Sequence, residues 1–292
     1  MDYNYDIESF FNQQFASWEM AKMNYESLKN VKTRRFQLAS CQYEIQFIPE
    51  RVRSVIGRME GKEEKTEATC CLCEQNRPAE QLTLPFNDRF DILCNPYPAF
   101  SRHLTVASNV HTPQTITNEL DTLLNIAKAL PEFIVFYNGP QCGASVPEHL
   151  HFQAGIRDEF PLYRDYKGLK IKYSVQEKIQ SHTIRYIIRD TVRKFYALES
   201  SSLPEISDYF YSQKDEKVNL LAWYDFPEEK WILCVFEREK HRPDRFYATG
   251  ERQLLISPAS VEMAGKIISV REDVFNRLTP QDIIDIFGEV LK

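Results

Sequence analysis

Residues 133–154 constrain the fold more tightly than any other stretch of the chain. Phe133-Ile134-Val135-Phe136-Tyr137 is a short continuous run of β-branched and aromatic residues, the pattern of a central strand. Asn138 to Val146 then brings Asn-Gly, Pro and a second Gly, which predicts a loop. Behind it, His149-Leu150-His151-Phe152-Gln153 alternates polar and apolar residues. Alternate side chains of a strand share a face, so His149, His151 and Gln153 are expected to line one site while Leu150 and Phe152 pack behind. The expected unit is a hairpin whose loop and second strand carry the chemistry.

The chain has 292 residues, enough for two domains or one large one, with 43% apolar and 27% charged residues. No apolar run approaches the roughly 18 to 20 residues of a bilayer span. The opening Met1-Asp2-Tyr3-Asn4-Tyr5-Asp6 lacks the basic, apolar, small-residue layout of a secretory signal, so the cytoplasm is the expected compartment. Thirty-six basic against 42 acidic residues, a net charge of -6, speak against a broad nucleic-acid surface but leave room for a local anion pocket. Glycine is scarce, 9 of 292 or about 3% against a usual level of roughly 7%. Neither G-x-G-x-x-G nor G-x-x-x-x-G-K-[ST] occurs, so any nucleotide must be held another way. Seven cysteines, three of them in Cys70-Cys71-Leu72-Cys73, suit metal ligation better than a disulfide framework in a reducing compartment.

Elsewhere the spacing predicts an amphipathic helix over residues 7–30, a half-buried strand over 42–49 and a charged, solvated connector over 60–68. Strands are expected at 90–96 and 103–108, and a helix at 120–130. From about residue 165 the pattern restarts, with a helix near 184–200, strands at 218–224, 231–237 and 254–256, and helices near 261–268 and 280–291. The two halves look alike in content without a residue-level repeat.

An imidazole is a competent nucleophile towards phosphorus near neutral pH, and a polar neighbour that fixes its tautomer raises its effectiveness. The H-x-H-x-Q alternation therefore points to phosphoryl or nucleotidyl transfer; the bland alternative is a strand with two incidental histidines. Gly143 and Ala144 would let backbone N–H groups approach a phosphate, and Ser145 adds a hydroxyl donor. Asn138 and Gln141 could bond phosphate or ribose, although Asn138 in Asn-Gly is equally natural as a turn residue.

Asn138-Gly139-Pro140-Gln141-Cys142-Gly143-Ala144-Ser145 followed by His149-Leu150-His151-Phe152-Gln153 resembles the active-site segment of the transferase branch of the histidine-triad (HIT) superfamily. That branch includes galactose-1-phosphate uridylyltransferase, diadenosine tetraphosphate phosphorylase and the GDP-L-galactose phosphorylases. The resemblance implies an α+β, HIT-like fold of two related halves built on antiparallel sheets with flanking helices. Residues 1–165 would hold the catalytic motif and a zinc site, and residues 166–292 would complete the substrate site. It implies that His151 attacks the α-phosphorus to form a nucleotidyl-histidine, that Gln153 bonds the phosphate, and that His149 orders the site or binds metal. Gln in the third position favours transfer to an acceptor over hydrolysis. The sequence departs from the pattern in spacing, since Val146-Pro147-Glu148 puts three residues between Ser145 and His149 where the relatives usually have two.

Cys70-x-x-Cys73 is half of a tetrahedral zinc shell. The resemblance supplies His111 and His149 as the other two ligands, with reduced structural thiols as the alternative. Phe86-Asn87-Asp88-Arg89-Phe90 resembles the N-D-x-F nucleotide stretch of the same transferases, which implies ribose or base contacts for Asn87 and Asp88; a plain turn reads equally well. Pro98 to Val106 resembles the segment leading into a β-strand, with Arg102 towards phosphate and His103 ordering the pocket wall. Arg238, Lys240, Arg242 and Arg245 cluster after a strand, where Lys240 and Arg242 are candidates for a sugar phosphate or free phosphate; a solvated strand end balanced by Glu237, Glu239 and Asp244 is the alternative.

The function expected is a nucleotidyltransferase or phosphorylase. It would act on a nucleoside diphosphate sugar or dinucleoside polyphosphate, with phosphate or a sugar phosphate as acceptor. A homodimer sharing site residues is compatible with the resemblance. The rivals are a nucleotide-binding sensor without turnover, a HIT-type nucleotide hydrolase and, weakest, a zinc-ribbon adaptor, which the acidic charge disfavours.

Overall fold

A ten-stranded antiparallel sheet runs through the computed structural model, which describes residues 6–52, 66–189 and 191–292. Its strands are β3 (Thr83–Phe86), β4 (Phe90–Cys94), β5 (His103–Ser108), β6 (Phe133–Asn138), β7 (His151–Ile156), β8 (Ser174–Lys178), β9 (Thr183–Ile188), β10 (Phe195–Ser200), β11 (Val218–Asp225) and β12 (Lys230–Glu237). They lie in the order β3-β4-β5-β7-β6-β11-β12-β10-β9-β8. Each half is a three-strand meander, then a helix, then a hairpin whose second strand joins the meander. The helices are Leu120–Ala129 in the first half and Leu203–Ser212 in the second. The halves meet at β6 and β11, where Asn138 pairs with Asn219. This is the α+β, HIT-like arrangement of two related halves.

Both faces of the sheet are covered, which is why its central strands read as continuous apolar runs rather than alternations. On one face Leu104, Val106, Val135 and Phe152 pack with Phe10, Phe11, Leu123 and Ile206 of the helices. On the other, Phe136, Leu221 and Trp223 pack with Tyr43, Ile45, Ile267 and Phe287. That second cover is a small sheet of β1 (Lys32–Leu38), β2 (Cys41–Phe47) and β13 (Lys266–Ser269), flanked by helices Pro161–Tyr173, Glu272–Arg277 and Pro280–Val290. No two of the seven cysteines, all of them among the described residues, are joined in a disulfide. No helix among the described residues is long and apolar enough to cross a membrane.

Several elements differ from the sequence expectation. The N-terminal helix is two, Ile7–Ser17 and Glu19–Ser27, broken where Trp18 takes φ -131°. Residues 184–200, expected helical, form β9 and β10; Thr183, Ile184, Tyr186 and Phe195 are β-formers, and burial of β10 on both faces hides its period. Residues 254–256 belong to no strand, and the helix expected at 261–268 stops at Met263 before Gly265, at φ 95°, turns the chain into β13. The terminal residues 1–5 and most of the connector expected at 60–68 lie outside the described residues.

The two faces meet tightly at Gly155 of β7, where an added Cβ would lie 2.6 Å from the Phe100 ring. Gly155→Ala is expected to cost about 1–3 kcal/mol by overpacking, read as a lower midpoint in urea unfolding with an unchanged slope. An unchanged midpoint would mean that the Phe100 loop yields freely.

Candidate active site

His151 opens β7, and its ring lines a cavity of about 440 Å³ on the face turned towards the small sheet. Its Nδ1 lies 2.8 Å from the carbonyl of His149. A carbonyl only accepts, so Nδ1 carries the proton and the lone pair is left on Nε2, the tautomer a nucleophile needs. Gln114 holds the backbone around this residue: its Oε1 accepts from His151 N at 2.8 Å, and its Nε2 donates to the carbonyls of His151 and Asn138 at 2.9 and 3.0 Å. Truncating Gln114 would orphan buried backbone groups at about 1–3 kcal/mol each.

Gln153, two residues along on the same face, also lines the cavity. Its orientation is set from behind. Ala99 N donates to His103 Nδ1 at 3.2 Å, so the proton of this neutral imidazole is on Nε2, which donates to Gln153 Oε1 at 3.0 Å. The carboxamide oxygen is thereby occupied, and the NH₂ group becomes the end that can meet an anion. Burial, with the nearby Arg51 charge, holds the His103 pKa well below the usual histidine value, as this donor pattern requires.

His149 does not share the cavity with its neighbours. It precedes β7 rather than belonging to it, which breaks the alternation the sequence suggested. Its Nε2 donates to Ser108 O at 2.8 Å, and Nδ1 turns to Cys70 Sγ at 3.3 Å and Cys73 Sγ at 3.5 Å. His111 Nδ1 stands 3.2 Å from Cys73 Sγ. The four donor atoms of Cys70, Cys73, His111 and His149 lie within 4.8 Å of one another, and Cys70 and His149 are fully buried. Two thiols and two imidazoles at that spacing fit one tetrahedral cation, with the Ser108 bond fixing His149 as an outer-shell partner should. Burial and the neighbouring Cys70 push the Cys73 thiol up to about 11, so a bound cation is what would favour its thiolate. The cluster could hold a metal ion.

The loop after β6 brings Gly143, Ala144 and Ser145 to the cavity. Gly143 takes φ 93° and abuts Ala259 so closely that an added Cβ would lie 2.6 Å from the Ala259 Cβ, which only glycine permits. The Ala144 amide turns inward to Gly139 O at 3.4 Å. Asn138 also lines the cavity, with its Oδ1 accepting from Asn219 Nδ2 and Ser260 N, both at 2.8 Å. Its oxygen is therefore spent joining the halves.

Among the other expected site residues, only Arg242 reaches the cavity, with Nε donating to Ser257 Oγ at 2.9 Å and its guanidinium over the Phe246 ring. Lys240 instead pairs with Asp244 and Glu289. Asn87, at φ 49°, makes the β3–β4 turn by accepting from Arg89 N, and Asp88 is exposed beside it. Arg102 pairs with Glu8 and lies over Phe11. Arg238 is fully buried and donates to Asn219 and to the carbonyls of Pro258, Val290, Lys240 and His241. Most of the cationic run is thus a knot that fixes the far wall.

The cavity also contains residues to which sequence alone assigned no site role, although Glu262 lies in residues 257–265, a stretch that resembles the phosphorylase branch. Arg51 donates to Tyr97 O, and Glu262 accepts from Ala259 N at 2.9 Å. Burial pushes the Glu262 carboxyl up to about 7, against its backbone hydrogen bonds and the Arg51 charge. Glu262 had half of a readable signal, the Glu three residues after a helix N-cap, but Ala259 at that cap lacks the side-chain oxygen that completes it. Gln114 and Arg51 had none, since their burial arises only from the assembled fold.

The chain belongs to the family described as a domain of unknown function (DUF4922), whose model matches residues 10–156. No curated protein matches it. Among solved structures it is similar to yeast Ap4A phosphorylase Apa2, at 16% identity and a TM-score of 0.61, covering 94% of this chain and 97% of that one. The same yeast enzyme in complex with Ap4A matches at 17% identity and a TM-score of 0.59, covering 94% and 96%. At that identity the likeness shows a shared fold.

Because His103 stays neutral when folded, the unfolded chain binds the extra proton below about pH 6.5. Stability should then fall with acidification by about 1.4 kcal/mol per pH unit until the depressed native pKa is reached. Urea unfolding between about pH 7 and 5 should show a shallower slope for His103→Gln; parallel slopes would remove His103 as the source.

Proposed function

We propose that the protein is a nucleotidyltransferase or phosphorylase that takes a nucleoside monophosphate from a dinucleoside polyphosphate or nucleotide sugar and passes it to phosphate or a sugar phosphate. The observation that carries this reading is the His151 ring, held through Nδ1 with its lone pair on Nε2, on the same cavity wall as a Gln153 amide turned NH₂ outward. In the first step Nε2 bonds to the α-phosphorus and the bond from phosphorus to the bridging oxygen breaks, so the remaining phosphate chain or sugar phosphate leaves with the electron pair. In the second an acceptor phosphate oxygen displaces Nε2. Gln153 donates to a nonbridging oxygen as charge builds there, while Ser145 and Arg242 meet the rest of the anion.

In this reading residues 1–165 supply the nucleophile and the metal cluster, and residues 166–292 supply the opposite wall with His241, Arg242 and Glu262. The likeness to an Ap4A phosphorylase solved with Ap4A supports dinucleoside polyphosphates as the first substrates to try. Zinc is the metal the Cys70, Cys73, His111 and His149 donors suit, with a structural role. Its chemistry would be to neutralise the thiolates and lock His149, whose carbonyl in turn orients His151.

Incubation with Ap4A or a nucleoside diphosphate sugar in the absence of acceptor is expected to add one nucleoside monophosphate to the peptide containing His151, seen by mass spectrometry. His151→Ala should abolish the adduct and lower turnover at least about 10³-fold. Equal labelling of that variant would sink the assignment, and binding without label in the wild type would favour the sensor reading. Elemental analysis should find about one zinc per chain, lost in Cys73→Ser together with a drop in melting temperature. A metal-free wild type that melts at the same temperature after zinc is added would refute the structural ion.

A further inference from the structure

A second cavity, of about 570 Å³, is lined in part by Ala99, Ser101 and Arg102 of the segment that leads into His103, and its size is within the range of small-molecule sites. Its apolar surface comes from Phe15, Tyr25, Leu28 and Val31. Its charged lining carries Lys22, Lys29, Arg102 and Lys266 against Glu26 and Glu159, while Glu19 and Glu8 outside the lining pair with Lys22 and Arg102. Lys266 is set into the wall with its side chain 3% exposed, over the Phe100 ring, 3.3 Å from Glu159 and donating to Ala99 O at 3.2 Å. Burial holds its ammonium below the usual lysine value while Glu159 opposes the shift, so an arriving anion would stabilise the charged form.

Two of these lining residues touch the histidine that orients Gln153. Tyr25 OH donates to His103 O at 2.9 Å and accepts from His103 N at 3.3 Å. Ala99, whose carbonyl takes the Lys266 bond, gives its N–H to His103 Nδ1. Glu159, the partner of Lys266, also accepts from Ser101 N in the same segment. Any group that draws Lys266 away from Glu159 or presses on Tyr25 therefore loads the segment from which His103 reaches Gln153.

We propose that this cavity is a second ligand site, for an organic anion with a planar apolar ring, and that its occupant acts on the Gln153 amide through His103. The ring would lie against Phe15, Tyr25 and Val31, with the anionic group between Lys266 and the rim lysines Lys22 and Lys29. Such an anion gains from two sources at once, apolar burial and charge-assisted bonds to partly desolvated amines.

The probe is 8-anilinonaphthalene-1-sulfonate, titrated onto the intact protein and followed by its fluorescence. Binding should weaken about tenfold or more in the surface double variant Lys22→Glu/Lys29→Glu, and should stay within about twofold of wild type in Arg242→Glu, which alters the first cavity. The uncharged parent N-phenyl-1-naphthylamine should bind about tenfold more weakly than the sulfonate. Unchanged affinity in the lysine variant, or loss confined to Arg242→Glu, would overturn the site. Addition of the sulfonate should move the Gln153 side-chain amide resonances in a nitrogen-15 spectrum of the wild type and leave them still in the lysine variant. Saturating probe with no movement of those resonances would overturn the coupling.

Discussion

The hydrogen bond from His151 Nδ1 to the carbonyl of His149 is the interaction on which the site depends. It spans two residues of one chain, so it costs little entropy to form, yet it decides which ring nitrogen carries the proton. It also joins two centres that face different ways. The imidazole of His149 belongs to the cysteine cluster, while its carbonyl holds the His151 ring. Whatever restrains the first restrains the second, so in the proposed function a metal ion held by that cluster would act on His151 without touching substrate.

Around that bond the chain uses hydrogen bonds as fasteners between layers. Gln114 ties the start of β7 to the end of β6, and Asn138 ties β6 to β11 and to the turn at Ser260. Arg238 continues the series by gripping Asn219 and four carbonyls of the second half. Buried polar networks of this kind are costly when incomplete and rigid when satisfied. Here the satisfied network holds opposite walls of one cavity at fixed separation, which the proposed transfer between two bound phosphates would demand.

The parts of this arrangement visible in the sequence were those encoded locally. Phe133–Tyr137 and the alternation through Gln153 marked β6 and β7, and the Cys-x-x-Cys spacing marked half of the metal cluster. The resemblance to HIT transferases added His111 and His149, which the fold brings together with the cysteines. Long-range contacts were not encoded that way. Phe195–Ser200 is buried on both faces and so lacks the alternation that would have separated strand from helix. Asn87, Asp88, Arg102 and Lys240 have residue types that suit nucleotide contacts, but their turn and ion-pair partners hold them outside the first cavity. Gln114 became meaningful only when β6 and β7 were side by side.

The two halves differ most at one place. Between β6 and β7 the first inserts residues 139–150, whereas β11 and β12 are joined by residues 226–229 alone, directly after the Asp225–Lys230 pair. In this repeated architecture the hairpin loop that reaches the first cavity is the one between β6 and β7. That short, exposed turn is the point where the architectural symmetry can be probed from outside: a grafted loop there would meet solvent without entering the first cavity.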